Sequence, residues 1–203
     1  VNGYPDTQLV SYGEMQSQTN IVSEGLSSAA LEMGKEPIPC IADGDTGYGN
    51  SVNVKRTVFG YGRAGMAGIM IEDQVAPKRV SHHRGIEHLV PCEEMLAKID
   101  VAISSRTDVR TKIIARTGAV KNESLAAALE RCVRYEKAGA DMILIMAETD
   151  EEWARIRGAL KVPLVTFAPL AGRSAQEWHR RGVSLVFDPF TTQVAQVINI
   201  QET

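Results

Sequence analysis

The chain has 203 residues, 44% hydrophobic and 23% charged, with a formal net charge of −3. That is enough for one globular domain with a sizeable core, and the composition is not that of a disordered chain. It offers no basic surface for a nucleic-acid partner, and no apolar run nears the roughly 20 residues that span a bilayer.

The opening Val-Asn-Gly-Tyr-Pro-Asp has no basic head or apolar centre, so no secretory signal is expected there. Pro37 to Ala42 is a short apolar run that reads as a buried strand. It leads into Asp43 and Asp45, one residue apart, and then a glycine-rich turn through Gly47, Tyr48 and Gly49. Ser51 to Gly65 carries Val52, Val54, Val58, Phe59 and Tyr61 at helical spacing. Ala67 to Ile71 is a second strand, running into Glu72-Asp73-Gln74. Strand, acid loop, helix, strand, acid loop is a βαβ unit, which brings both acid clusters to one edge of a sheet. Paired carboxylates at strand ends can hold a hard divalent cation such as Mg²⁺, which needs only one or two protein carboxylates. In parallel barrels, catalytic groups sit at such ends.

Pro91-Cys92 opens the next helix. Ile113 to Ala115 reads as a strand, and Glu123 to Ala138 as a helix with Leu125, Leu129, Cys132, Val133 and Tyr135 on its apolar face. Gly139 stops that helix. Met142 to Met146 is the next strand. Thr149 caps a helix from Asp150 to Leu160, ahead of a strand at Val162 to Val165. Gln176 to Arg181 is helical, Gly182 ends it, and Val183 to Phe187 is a strand. Five or six alternating units predict a parallel α/β sheet. Nothing resembles a linker, so residues 1–203 are expected to form one domain. Cys40, Cys92 and Cys132 lack metal-ligand spacing and suit a reducing compartment, either the cytoplasm or an organelle.

With Asp43-Gly-Asp45-Thr-Gly-Tyr-Gly-Asn and Ile71-Glu72-Asp73-Gln74 in place, the chain resembles the isocitrate lyase/phosphoenolpyruvate mutase superfamily over nearly its whole length. Gly3-Tyr-Pro-Asp6 with Val10-Ser-Tyr-Gly-Glu-Met15, Pro77-Lys78-Arg79, and Ile113-Ile-Ala-Arg116-Thr117 are similar to further segments of that family. The resemblance implies a (β/α)8 TIM-type barrel of the phosphoenolpyruvate/pyruvate type. Such a barrel typically takes about 250 residues, so here it is expected to be incomplete at both ends. It also implies a homotetramer or dimer of dimers, and Mg²⁺ or Mn²⁺ at the mouth.

Carried over residue by residue, Asp43 would be the direct ligand. Asp45, Asp6 and Glu72 would hold metal-bound waters. Arg116 would grip a substrate carboxylate, a task suited to its guanidinium fork. Tyr48, Gly49 and Lys78 join it as candidates for substrate binding, and Glu148 falls where the family often places a further acid. The loop over residues 75–90 would close the site.

Three departures from the family pattern bear on function: the incomplete ends, Gly118-Ala119-Val120 directly after Thr117, and the closing loop. The family's lyases carry a proton-transferring cysteine in this loop, where Val80 stands here. Ser81 and His82 are the candidates to replace it, since histidine is well matched to proton transfer at neutral pH. The resemblance implies a carbon–carbon lyase for a small 2-oxo or 2-hydroxy di- or tricarboxylate, working through a metal-stabilised enolate. Decarboxylation of oxaloacetate is a natural variant, because it asks less proton transfer of the loop. The alternatives are a C–P mutase or hydrolase of the same superfamily, and a degenerate member that binds a metabolite.

Overall fold

The computed structural model describes residues 4–78, 87–169 and 171–201. The elements run α1 (Tyr12–Glu32), β1 (Ile41–Asp43), α2 (Ser51–Arg63), β2 (Gly68–Glu72), α3 (Cys92–Ser104), β3 (Lys112–Arg116), α4 (Ala119–Asn122) and α5 (Leu125–Lys137). They continue with β4 (Met142–Leu144), α6 (Asp150–Ala159), β5 (Leu164–Phe167), α7 (Ala175–Arg180), β6 (Val183–Phe187) and α8 (Thr191–Gln201). The strands form one sheet in the order β1-β2-β3-β4-β5-β6, and each pairs in parallel with the next. All strand C-termini therefore share one edge. This curled parallel sheet with its helices is a partial (β/α) barrel, as the alternation of elements predicts.

The two sheet faces carry different cores. Ile69, Ile71, Ile113, Ala115 and Ile143 pack against Val54, Val58, Met95, Cys132, Tyr135 and Trp153 of the helices. The opposite, inner face carries Met70, Ile114, Leu144 and Val165, with Phe167 and Phe187 packed on them. Successive residues of a strand point to opposite faces, so each strand contributes to both cores. Between Leu164 and Val165 the β5–β6 register slips, which lets Val183 join the helix-side core while Leu185 joins the inner one.

Several expectations need adjusting. The first strand covers only Ile41–Asp43, not Pro37 to Ala42. Pro37 and Pro39 cannot donate to a ladder, which keeps their segment outside the sheet. The long helix α1, closed by a capping box of Ser11 and Glu14, has no apolar periodicity in sequence; among its described residues only Thr19 and Ala30 are buried. Thr149 caps α6 as predicted, with Glu152 completing the box. No helix is long and apolar enough to cross a membrane among the described residues.

Candidate active site

The loop after β1 is built to turn its acids over the rim. The Gly44 amide bonds the Met70 carbonyl at 2.8 Å, and the Glu72 amide bonds the Asp45 carbonyl at 2.9 Å. These bonds lash the loop to β2. A Cβ on Gly44 would lie 2.7 Å from the Met70 carbonyl oxygen, so any side chain there would force the loop off the strand. Gly47 takes φ +86°, and a Cβ would strike Val54 Cγ2 at 2.3 Å. Asp45 and Tyr48 also have positive φ, a conformation uncommon for non-glycine residues and worth reading as a functional constraint. From below, the Lys98 ammonium holds the Thr46 carbonyl at 3.1 Å, and the Gln8 amide bonds the Thr46 hydroxyl at 2.8 Å.

Three of the four acids expected to hold the metal then meet around one cation, and Asp43, the expected direct ligand, does not contact it. Lys78 Nζ lies 2.5 Å from Asp45 Oδ1, 2.9 Å from Asp6 Oδ1 and 3.3 Å from Glu72 Oε1. Three carboxylates from three separate segments thus converge on one ammonium, whose side chain is 4% exposed. The other Glu72 oxygen, Oε2, accepts Arg116 Nε at 3.1 Å. The Arg116 guanidinium in turn lies over the Phe167 ring, 5.0 Å from its centroid. Asp43 sits beside this group and is exposed; its Oδ1 accepts the Asp45 amide at 2.8 Å.

Electrostatics follow from burial against charge. Burial pushes the Glu72 carboxyl above its ordinary value; Arg116 and Lys78 oppose the shift and Asp43 adds to it. Asp45 is likewise raised, first by burial, with Lys78 opposing and Asp43 and Asp6 reinforcing. For Lys78, burial alone would favour the neutral amine, but Glu72, Asp45 and Asp43 outweigh it and hold its pKa above the usual lysine value. Glu72 Oε1 is nonetheless buried without a close hydrogen bond, 3.3 Å from the Lys78 ammonium.

The other predicted residues fall as follows. Glu148 stands exposed after β4, at the same rim; its amide is bonded by Glu152 at 2.8 Å, and its carboxylate is not in the Lys78 group. The Tyr48 hydroxyl points at Tyr61, 3.2 Å away. Burial, and its bond to Tyr61, raise the Tyr48 phenol, while burial lifts Tyr61 to about 12. That contact engages the Tyr48 hydroxyl, and Gly49 offers only its backbone. Val80, Ser81 and His82 lie outside the described residues, as does most of the loop expected to close the site. The legs of that loop are pinned, Val75 N–H to the His88 carbonyl at 2.7 Å and Val90 N–H to the Asp73 carbonyl at 2.8 Å.

Sequence reasoning missed the support behind the rim. Asp73 Oδ2 accepts the Thr117 and Tyr135 hydroxyls, each at 2.7 Å, with Arg131 3.6 Å away. This ties the chain just after Arg116 to α5. Phe167 was missed too: its ring lies under the Arg116 guanidinium. No local signal marks either role, because the partners come from segments far away in the sequence.

Comparison with known proteins agrees with this fold. A sequence model of the family described as phosphoenolpyruvate phosphomutase matches residues 1–200. The chain is 43% identical over 155 residues to a 2,3-dimethylmalate lyase of Eubacterium barkeri, covering 76% of this chain and 50% of that one. It is 36% identical over 170 residues to an oxaloacetate decarboxylase of Rhodopseudomonas palustris, covering 83% and 55%. A phosphonopyruvate hydrolase solved with oxalate and Mg²⁺ superimposes with a TM-score of 0.79 at 31% identity, covering 98% of this chain and 67% of that one. The chain thus spans little more than half the length of these curated relatives. It belongs to the phosphoenolpyruvate phosphomutase family, within the superfamily that its two acid motifs resemble.

Proposed function

We propose that this chain contributes the catalytic strands of a Mg²⁺- or Mn²⁺-dependent carbon–carbon lyase acting on a small 2-oxo or 2-hydroxy di- or tricarboxylate. The observation that carries the reading is the convergence of Asp6, Asp45 and Glu72 on one cation position, with Arg116 alongside. The donor set is all oxygen, as a hard dication prefers, and it includes a buried carboxylate oxygen without a hydrogen bond, Glu72 Oε1. Among the described residues no three acids, histidines or cysteines are spaced as metal ligands; the three acids instead surround Lys78. Asp43, Asp45, Asp6 and Glu72 would hold the ion. When bound, it supplies electrostatic stabilisation of the negative charge that grows on the substrate as the bond breaks.

The remaining steps belong to side chains. Arg116, fixed between Glu72 and the Phe167 ring, receives a substrate carboxylate. The Tyr48–Gly49 backbone borders the substrate, and Lys78 joins it once free of the acids. Glu148 supplies a further acid at the rim. Ser81 or His82 moves the proton that a cysteine moves elsewhere in the superfamily. The relatives named for dimethylmalate cleavage and oxaloacetate decarboxylation support a lyase, and Val80 favours the decarboxylating branch. The enzyme works as a homotetramer or dimer of dimers in a reducing compartment; its three free cysteines support the latter.

A second reading, C–P bond hydrolysis or mutation, rests on the fold shared with phosphonopyruvate hydrolase. A substrate panel with Mg²⁺ decides between them. Pyruvate and CO₂ from oxaloacetate, or a second oxo acid from a branched malate, supports the lyase. Phosphate released from phosphonopyruvate supports the second reading. No turnover of any such acid by a metal-binding protein sinks both and leaves a metabolite-binding member. Asp43→Ala should remove metal binding and activity together; surviving activity would overturn the proposed mechanism.

A further inference from the structure

We infer that Lys78 is the resident counter-ion of the acid cluster: its ammonium and the divalent cation compete for one position, and metal entry expels Lys78 toward the mouth. The inference rests on the metal reading above and deepens it. The ammonium touches carboxylates of Asp6, Asp45 and Glu72, which come from three separate segments. Its side chain is 4% exposed, against 64% for Asp6, so the charge sits inside the cluster and not on its rim. Three carboxylates this close repel one another unless a cation lies among them. A lysine, with three donors on a long stem, can fill that place without fixed coordination.

The geometry is that of an ammonium site. Nitrogen-to-oxygen distances run from 2.5 to 3.3 Å, whereas Mg²⁺ takes its oxygens at about 2.0–2.1 Å and keeps several waters. A dication with its waters and a buried ammonium cannot share the space, and their like charges repel. Arg116 need not move, because it binds the opposite oxygen of Glu72. The exchange is therefore confined to Lys78. It keeps the carboxylates gathered before the metal arrives, and it releases a cation at the mouth afterwards, when a substrate carboxylate needs one.

Reductive methylation of the whole protein, mapped by mass spectrometry, tests this directly. Lys112, whose side chain is 52% exposed, serves as the internal reference. In EDTA, Lys78 should react at least about tenfold more slowly than Lys112, a protection that tracks how rarely it leaves the cluster. In saturating Mg²⁺ its rate should rise several-fold while that of Lys112 stays constant. Calorimetric titration with Mn²⁺ runs alongside. Mn²⁺ binding with an unchanged Lys78 rate overturns the inference and leaves the metal reading standing; failure to bind any divalent ion overturns both. Lys78→Met should tighten Mn²⁺ binding by about tenfold, as removal of a competing state does, and should widen the gap in Tm between metal-free and metal-loaded protein. Weaker binding in that variant would also overturn the inference.

Discussion

Glu72 and Asp73 are neighbours in sequence, both carboxylates, both buried, and they inhabit different regions. Glu72 faces the inner side of the sheet, at the mouth, between Lys78 and Arg116, and like Asp73 it keeps one buried oxygen without a hydrogen bond. Asp73 faces α5, where two hydroxyls donate to one of its oxygens and Arg131 stands behind. Burial raises both carboxyls. At Asp73, Tyr135, Thr117 and Arg131 oppose the rise through fixed partners of the scaffold; at Glu72 the opposition comes from Arg116 and Lys78 alone. The difference teaches that burial of a carboxylate is not itself the mark of a site. On the inference above, the mouth holds its charge partly through a lysine that a metal can displace, whereas behind the sheet the partners of Asp73 belong to the scaffold.

If that distinction holds, substitutions on the two sides should separate stability from binding. The largest effect is expected for Asp73→Ala, which leaves two buried hydroxyls and part of the Arg131 charge unpaired. A loss of about 3–5 kcal/mol is expected, as for breaking a buried ionic group, read by denaturant unfolding; a loss below about 1 kcal/mol would place Asp73 outside the scaffold. Glu72→Gln should instead leave the fold intact and weaken Mn²⁺ binding by about 10–100-fold, the usual cost of losing an outer-sphere group. Equal damage to stability in the two variants would erase the contrast.

Tyr135→Phe sharpens it further. Removing one hydroxyl from Asp73 should cost about 1–2 kcal/mol of stability and leave the Mn²⁺ affinity unchanged. Phe167→Leu removes the ring under Arg116. With a cation–π contact worth about 0.5–1 kcal/mol at such a site, KM for the turned-over acid should rise about two- to fivefold with little change in Tm. The smallest effect concerns neither region. Glu152 is held below the ordinary carboxylate range by the Glu148 and Thr149 amides it accepts. A lowered folded pKa contributes stability that is present above the unfolded value and is lost as pH falls through the folded one. Glu152→Ala should therefore lower Tm slightly at neutral pH, and the two proteins should converge in acid.

Much of the fold is legible in the chain itself. Alternating apolar runs and helical faces place five of the six strands closely, and Thr149 and Gly139 mark helix boundaries where the structure has them. The Asp43–Asp45 and Glu72 motifs point to the rim. Other features resist reading for physical reasons. Pro37 and Pro39 look apolar but cannot join a ladder. Helix α1 buries too little to print a periodic pattern. Phe167 carries no sequence signal of its role, because its partner Arg116 comes from a strand about fifty residues earlier. Ser81 and His82, legible as candidates, fall outside the described residues.

By itself, then, the sequence determined the alternation of elements, the two acid motifs and, through them, the family. Glu72 enters as a site residue through the family resemblance alone; the tertiary structure put its carboxylate at the mouth and that of Asp73 behind the sheet, which periodicity could not decide. Strand β2 is buried along its whole length, and a strand buried on both faces carries no apolar–polar alternation to say which side is inside. It also decided where Lys78 goes, since an ammonium among three carboxylates depends on segments that meet only when the sheet curls.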